Sequence, residues 1–456
     1  SVSSFDGTKL AVVTEQKVAV VDSKTGQTVR EIVEPDVTNI QWSPRDTYLM
    51  TWNWMDASDV TNPEGNVAVW RVADGKCVYR FMQRALEKFP SVKWSQNERF
   101  SVQLAGTQIR LFEEKDPSRF VKTAIQKNAL SFAVSPSGDF LAVGSPDKGG
   151  KPAEVRIYAL PELKMVNCMK VFGAEEFLFR WSPCKPHILV EASVAADKTG
   201  GSYYGQKCVY LLHAGGTLQS ILTFGTNKGP LHDARWSPDG KYFAVIQGHH
   251  PAVASLWLPE KCVKKFEFGK APWNQIYWSP HGRFLALCGF NGLQGQMHFW
   301  DVNKKKRIGL TKDTDAPTHC SWSPDSRRFV TATVRPLRQI DNNYKIWSYA
   351  GEPLSQVKFE WLFQANFMRA SSGVYPNRPM SPRLRGRKVE DINATKAQQA
   401  YIPPWRRGKA ESATTVRMRE ERKLDGPRKI RVQATGPASK NAEKNRKKRE
   451  RRRKKK

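Results

Sequence analysis

Apolar stretches of four to seven residues alternate with short polar breaks along the first 370 positions. Many close on a tryptophan followed by serine and proline. The element stands at Trp42-Ser43-Pro44, Trp94-Ser95, Val134-Ser135-Pro136, Trp181-Ser182-Pro183, Trp236-Ser237-Pro238, Trp278-Ser279-Pro280 and Trp322-Ser323-Pro324, with Ser4-Phe5-Asp6-Gly7 as an earlier, degenerate copy. Spacings of 40 to 55 residues match the period of propeller blades. Each copy has one grammar. A short apolar strand ends in the W-S-P and a tight turn follows, as in SPDG (237–240), SPHG (279–282) or SPSG (135–138). A second apolar strand comes next, then a third that usually ends in an aromatic: VAVW, IRLF, VRIY, VYLL, ASLW, MHFW, YKIW. Period-two alternation rich in β-branched and aromatic residues is the mark of half-buried strands, and Asp and Gly tolerate the backbone angles of the turns. The pattern predicts an all-β, WD40-like propeller over 1–370 with eight visible blades. VKFEWLFQANF (357–367) reads as one more strand, closing the ring with residues expected upstream of Ser1, for nine blades in the full protein. Separate small β-domains are disfavoured, because three strands cannot bury a face alone.

Length is not spread evenly over the connections. The turn after W-S-P stays short, whereas the link from second to third strand grows: NWMDASDVTNPEGN (53–66), SPDKGGKPAE (145–154), DKTGGSYYGQ (197–206), QGHHPAV (247–253), GFNGLQGQ (289–296), VRPLRQIDNNY (334–344). Equivalent connections emerge on one propeller face, so clustered insertions point to a binding surface. Drift at a permissive loop is the alternative. On this face Lys198, Tyr203, Tyr204, Arg335 and Arg338 are the candidate contact residues. Lys198 would meet phosphate or carboxylate. The tyrosine pair on a strand-like segment is read as one ring in and one out, with packing beneath neighbouring loops as the other reading.

Charge adds a second working part. The chain of 456 residues carries a net charge of +31, and residues 371–456 hold 28 Lys and Arg against 8 Asp and Glu. Such asymmetry points to a polyanionic partner, most often nucleic acid. SSGVYPNRPMSPRLRGRK (371–388) is too poor in large apolar residues to bury a core and is expected to be disordered when free. Residues 371–410 form a Pro/Arg-rich linker and 411–456 a basic tail, partly helical over 411–424. The last thirteen residues hold eleven basic side chains, with Arg446, Lys447, Lys448, Arg449, Arg451, Arg452, Arg453, Lys454, Lys455 and Lys456 as the RNA contact. A nuclear or nucleolar signal and a solubility tail are the competing readings. In the linker, Tyr401, Pro403, Pro404, Trp405, Arg406 and Arg407 make a stiff element that could fill a protein groove or stack on bases, or else pack on the propeller rim.

Catalytic chemistry is not legible. The nearest approach to a phosphate-binding G-x-x-x-x-G-K-[ST] is residues 144–151, where Pro152 replaces the hydroxyl. There is no G-x-S-x-G elbow and no H-E-x-x-H, and His249-His250 is a lone pair on a loop. No catalytic residue, metal ligand or cofactor is assigned. The seven scattered cysteines read as reduced, mostly buried thiols of an intracellular chain. No apolar run reaches the length of about 18 residues that a membrane span needs, and no secretory signal is read.

DKTGGSYYGQ, SPHGRFLALCGFNGLQGQMHFWDV (279–302), NNYKIWSYAG (342–351) and AYIPPWRRGK (400–409) together resemble the eukaryotic translation initiation factor 2A family, in order from about residue 4 to 409. The resemblance implies a nine-bladed propeller with a basic C-terminal region. It also implies binding to the small ribosomal subunit, through rRNA and ribosomal proteins, and delivery of initiator methionyl-tRNA without GTP. mRNA and other initiation factors are further candidate partners, for a monomer in the cytoplasm with a nuclear or nucleolar pool in addition. A propeller scaffold for ribosome assembly is the alternative.

Overall fold

A computed structural model describes residues 1–380 except 55–64, 84–89, 115, 148–150, 194–206, 217–218, 222–228, 294, 313–316, 336, 338–340 and 372. The predicted tail thus lies outside the described residues, as do Lys198, Tyr203, Tyr204, Arg338 and the 400–409 element.

Thirty-two strands pair into eight four-stranded antiparallel sheets, each a simple meander of consecutive strands. The blades span 2–33, 37–81, 92–125, 131–171, 176–221, 231–271, 275–312 and 319–358, numbered here 1 to 8. The expected all-β propeller is what forms, and each predicted copy is one blade. First strands of neighbouring blades pack side by side, as Ser131–Val134 does on Glu176–Trp181 and Leu231–Trp236 on Gln275–Trp278. Buried apolar clusters lie between consecutive blades at all seven junctions from 1–2 to 7–8. The flat faces of the sheets, apolar on both sides at the second strand, bury each other; Phe284–Cys288 is buried at every position. Each Leu or Phe so buried contributes about 1.5–3 kcal/mol.

The W-S-P element is explained by hydrogen bonding. In blade 7 the Ser279 N–H donates to the Phe284 carbonyl (2.9 Å), and Ser279 Oγ accepts the Phe284 N–H (2.9 Å). The same pair closes the turns at Ser43/Tyr48 and Ser323/Arg328. The third residue after the serine takes a left-handed backbone: Asp46, Glu98, Gly138, Gly240, Gly282 and Ser326, where glycine or a short polar residue is least strained. The tryptophan reaches backwards. Trp181 Nε1 donates to the Ala133 carbonyl (3.0 Å), Trp236 to Arg180 (2.7 Å), Trp278 to Arg235 (3.3 Å) and Trp322 to Tyr277 (3.0 Å), and Trp42 does so to Val2 (3.0 Å). Each bond joins a blade to the first strand of the one before it.

Three expectations need correction. Residues 357–367 are not a further strand. Val357 and Lys358 end the fourth strand of blade 8 (Pro353–Lys358), and the next nine residues form no ladder. This segment runs instead from the loop side of blade 8, where the Phe359 N–H donates to the Asn342 carbonyl (2.8 Å), to the first turn of blade 1. There the Arg369 guanidinium covers the Phe5 ring at 4.4 Å, and a Cβ on Gly7 would lie 1.7 Å from the Arg369 carbonyl oxygen. Residues 373–380 are likewise not free. The His281 ring meets the Tyr375 carbonyl (2.8 Å), Arg327 donates to the Arg378 and Pro379 carbonyls (2.8 and 2.6 Å), and Met380 packs on the core of blades 7 and 8. Carbonyl acceptors, which any sequence offers, replace the apolar burial that this stretch lacks. Finally, the cysteines are free but mostly not buried: only Cys288 and Cys320 are, in one cluster, whereas Cys77, Cys184 and Cys208 lie exposed.

Candidate interaction surfaces

In a four-stranded meander the first-to-second turn and the second-to-third connection lie at opposite ends of the strands. The W-S-P turns therefore share one face of the ring and the long connections the other. The stem of DKTGGSYYGQ shows this placement: Ser193 pairs with Lys207 at the end of the blade 5 hairpin farthest from Trp181.

Of the predicted loop contacts only Arg335 is described. It follows Thr333, the last residue of the second strand of blade 8, by two positions. The Arg335 N–H donates to the Leu362 carbonyl (2.7 Å) and its guanidinium lies 4.9 Å from the centre of the Trp361 ring. Asn342 fixes the other side, its Oδ1 accepting the Leu362 N–H at 3.0 Å. The segment after blade 8 is thus clipped to the blade 8 loop, and the two turn large apolar groups outward: Leu337 of the loop and Trp361 and Phe363 of the segment are 74%, 60% and 64% exposed. An arginine stacked on an exposed tryptophan beside further apolar groups is what a base or a protein side chain docks on. Sequence reasoning missed this patch, because Phe359, Trp361 and Phe363 alternate as a buried strand would.

Elsewhere on this face the loop bases are tightly held. Arg80 makes two 2.8 Å bonds to Glu34, whose Oε1 also accepts from Asn53 Nδ2 (3.0 Å), and Trp54 is exposed against buried Trp52 at 5.9 Å. In blade 6 the His249-His250 loop gains a partner that the sequence did not suggest: the His232 ring stacks on His250 at 4.5 Å. Burial and the neighbouring imidazole lower the His250 pKa. Among the described residues no three His, Cys, Asp or Glu side chains are grouped to hold a metal.

The near phosphate loop is structural at its first glycine. Gly144 lies inside a strand, paired with Ser131 and Val155, and a Cβ there would come within 2.7 Å of the Phe177 ring. Blade 5 packs against that bare backbone. A strand follows the segment and not a helix, so no row of helix N–H groups is available for a phosphate.

Comparisons with known proteins bear on the same residues. Residues 169–365 match the family model for eukaryotic translation initiation factor eIF2A. The chain is 30% identical to eukaryotic translation initiation factor 2A of Dictyostelium discoideum over 88% of its length and 65% of that protein's. It is 28% identical to the Schizosaccharomyces pombe protein of that name over 97% of its length and 77% of the relative's. It thus spans about two thirds of the length of the first of these relatives. A crystal structure described as that of the eukaryotic initiation factor superposes with a TM-score of 0.74 at 26% identity, over 81% of this chain and 90% of the other. Along most of its length the chain is thus similar to proteins of the eukaryotic translation initiation factor 2A family.

Proposed function

We propose that this chain is a non-catalytic translation initiation factor of the cytoplasm. It docks on the small (40S) ribosomal subunit through the loop face of its propeller, holds RNA by the charge of its tail, and assists recruitment of initiator methionyl-tRNA without GTP. The observation that carries the reading is the likeness to factor 2A proteins across the propeller, and the exposed Arg335–Trp361 stack supplies a contact of the right chemistry on the loop face. Lys198, Tyr203, Tyr204 and Arg338, assigned to that face from the sequence alone, are proposed as further contacts, as are the 401–407 element and the basic terminus.

Sedimentation with purified small subunits tests this. Trp361→Ala and Tyr204→Ala are each expected to reduce co-migration several-fold while the melting temperature stays within a few degrees. Unchanged co-migration of both variants would remove the loop face from the reading. A protein found wholly in the nucleolus, with no co-migration, would favour the assembly-scaffold alternative.

A further inference from the structure

The eight blades are internal controls for one another, and one turn stands apart. On the W-S-P side, third and fourth strands are joined by short turns whose cations mostly have an acidic neighbour in sequence. Lys24 follows Asp22, Lys76 follows Asp74, Lys164 follows Glu162 and Lys261 follows Glu260, while blade 8 has Glu352 and no cation. Blade 7 instead has Asn303, Lys304, Lys305, Lys306 and Arg307 in succession, all exposed. The one acid of this turn, Asp301, is fully buried and accepts two bonds from Arg283, at 3.2 and 3.0 Å. Among the described residues none of the four cations forms an ion pair.

Protection of a sheet edge accounts for one or two lysines on an outer strand, such as Lys264 and Lys265 of blade 6, the first of them paired with Glu267 (2.8 Å), but not for four adjacent cations beginning within a turn. The turn is rigidly made. The Lys304 N–H donates to Asp301 Oδ1 (3.1 Å), and Lys305 adopts a left-handed backbone (φ 51°). No exposed apolar residue lies between 303 and 307 to enter a bilayer. The strap 373–380 ends on the same side of the ring. Met380 packs against the core cluster that also receives Ile308, next in sequence to Arg307, and the chain continues with Arg383, Arg385, Arg387 and Lys388.

We infer that Lys304, Lys305, Lys306 and Arg307 form a phosphate-backbone contact for RNA on the W-S-P face, opposite the loop face. The contact reads charge and not sequence, because the three ammonium groups meet phosphate as point charges, the Arg307 guanidinium can take it in bidentate fashion, and bases have no shaped partner here. It rests on the reading that this chain holds RNA, and it gives the propeller two working faces.

The test is anisotropy of a fluorescein-labelled 20-nucleotide RNA of mixed sequence, titrated with the full chain across a KCl series. Glutamine keeps the polar surface and avoids a new strain at Lys305, so the variant is K304Q/K305Q/K306Q/R307Q. With a slope of about 0.7 per phosphate on single strands, loss of four contacts should flatten log K against log salt by about 2–3. K24Q/K76Q/K164Q/K241Q removes equal charge elsewhere and should flatten it by less than half as much. An unchanged slope in the blade 7 variant, or an equal change in the control, overturns the inference. So does loss of binding to phosphatidylserine vesicles with RNA binding intact. If the quadruple variant melts early, K306Q/R307Q, outside the turn, should still give about half the effect. Small-subunit sedimentation reads the proposed function separately, so either result can fail alone.

Discussion

His298 shows how a single buried group ties this propeller to pH. It is buried on the third strand of blade 7 with its ring 4.9 Å from Trp273, and neither ring nitrogen has a hydrogen-bond partner among the described residues. Burial, with Arg307 as a smaller contributor, pushes its pKa down to about 4, against about 6.5 for an ordinary histidine. The unfolded chain therefore binds a proton that the folded one refuses. Stability from this group is complete above pH 6.5 and is lost as pH falls from 6.5 towards 4. We expect the melting temperature to fall across that window, and His298→Leu to flatten the fall, as melting curves at pH 7, 5.5 and 4.5 would show. At pH 7 the same variant should cost little, since no bond is removed. Backbone closeness gives a second case. A Cβ on Gly289 would sit 1.8 Å from the Pro272 carbonyl oxygen, so Gly289→Ala must move a blade junction and should destabilise by more than about 3 kcal/mol in denaturant unfolding, the range of overpacked or strained sites.

At the scale of the element, the W-S-P copies are both the most legible part of the sequence and the best explained. Ser279 is fully buried with its hydroxyl accepting a backbone N–H, so Ser279→Ala should cost about 1–3 kcal/mol, the penalty for orphaning a buried donor. Trp236→Phe keeps an aromatic ring but loses the 2.7 Å bond to the Arg180 carbonyl and part of the indole's packing, and should cost at least about 1 kcal/mol. Urea unfolding of the two variants checks both. The repeat was readable because most blades use the same residues for the same bonds. The segment after Lys358 was not, because its alternation of Phe359, Trp361 and Phe363 is equally good for a buried strand and for an exposed aromatic row. The bonds from Leu362 and Phe359 to Asn342 and from Arg335 to Leu362 separate the two, and no local pattern encodes partners some twenty residues away. Likewise Arg335 was chosen from its loop, but Trp361 beneath it could not be.

For the whole molecule, charge and fold are divided along the chain. Ending the chain at Pro382 removes 27 Lys and Arg against 8 Asp and Glu while keeping every described contact of the strap. The shortened chain should melt within about 2 °C of the full one, because no described element is lost. Its affinity for RNA at 50 mM KCl should fall at least tenfold, given that six or more phosphate contacts are worth about 10³–10⁵ between 50 and 200 mM salt. Calorimetry and anisotropy read the two expectations independently. The indole bonds between blades have a direction, and that direction has a consequence during synthesis. Trp42, Trp181, Trp236, Trp278 and Trp322 each donate to a strand nearer the N-terminus. A growing chain that emerges N-terminus first therefore always presents a new tryptophan to an acceptor already made, and a stalled chain leaves spare carbonyls rather than stranded indoles. From blade 1 towards blade 8 these bonds give assembly one favoured direction.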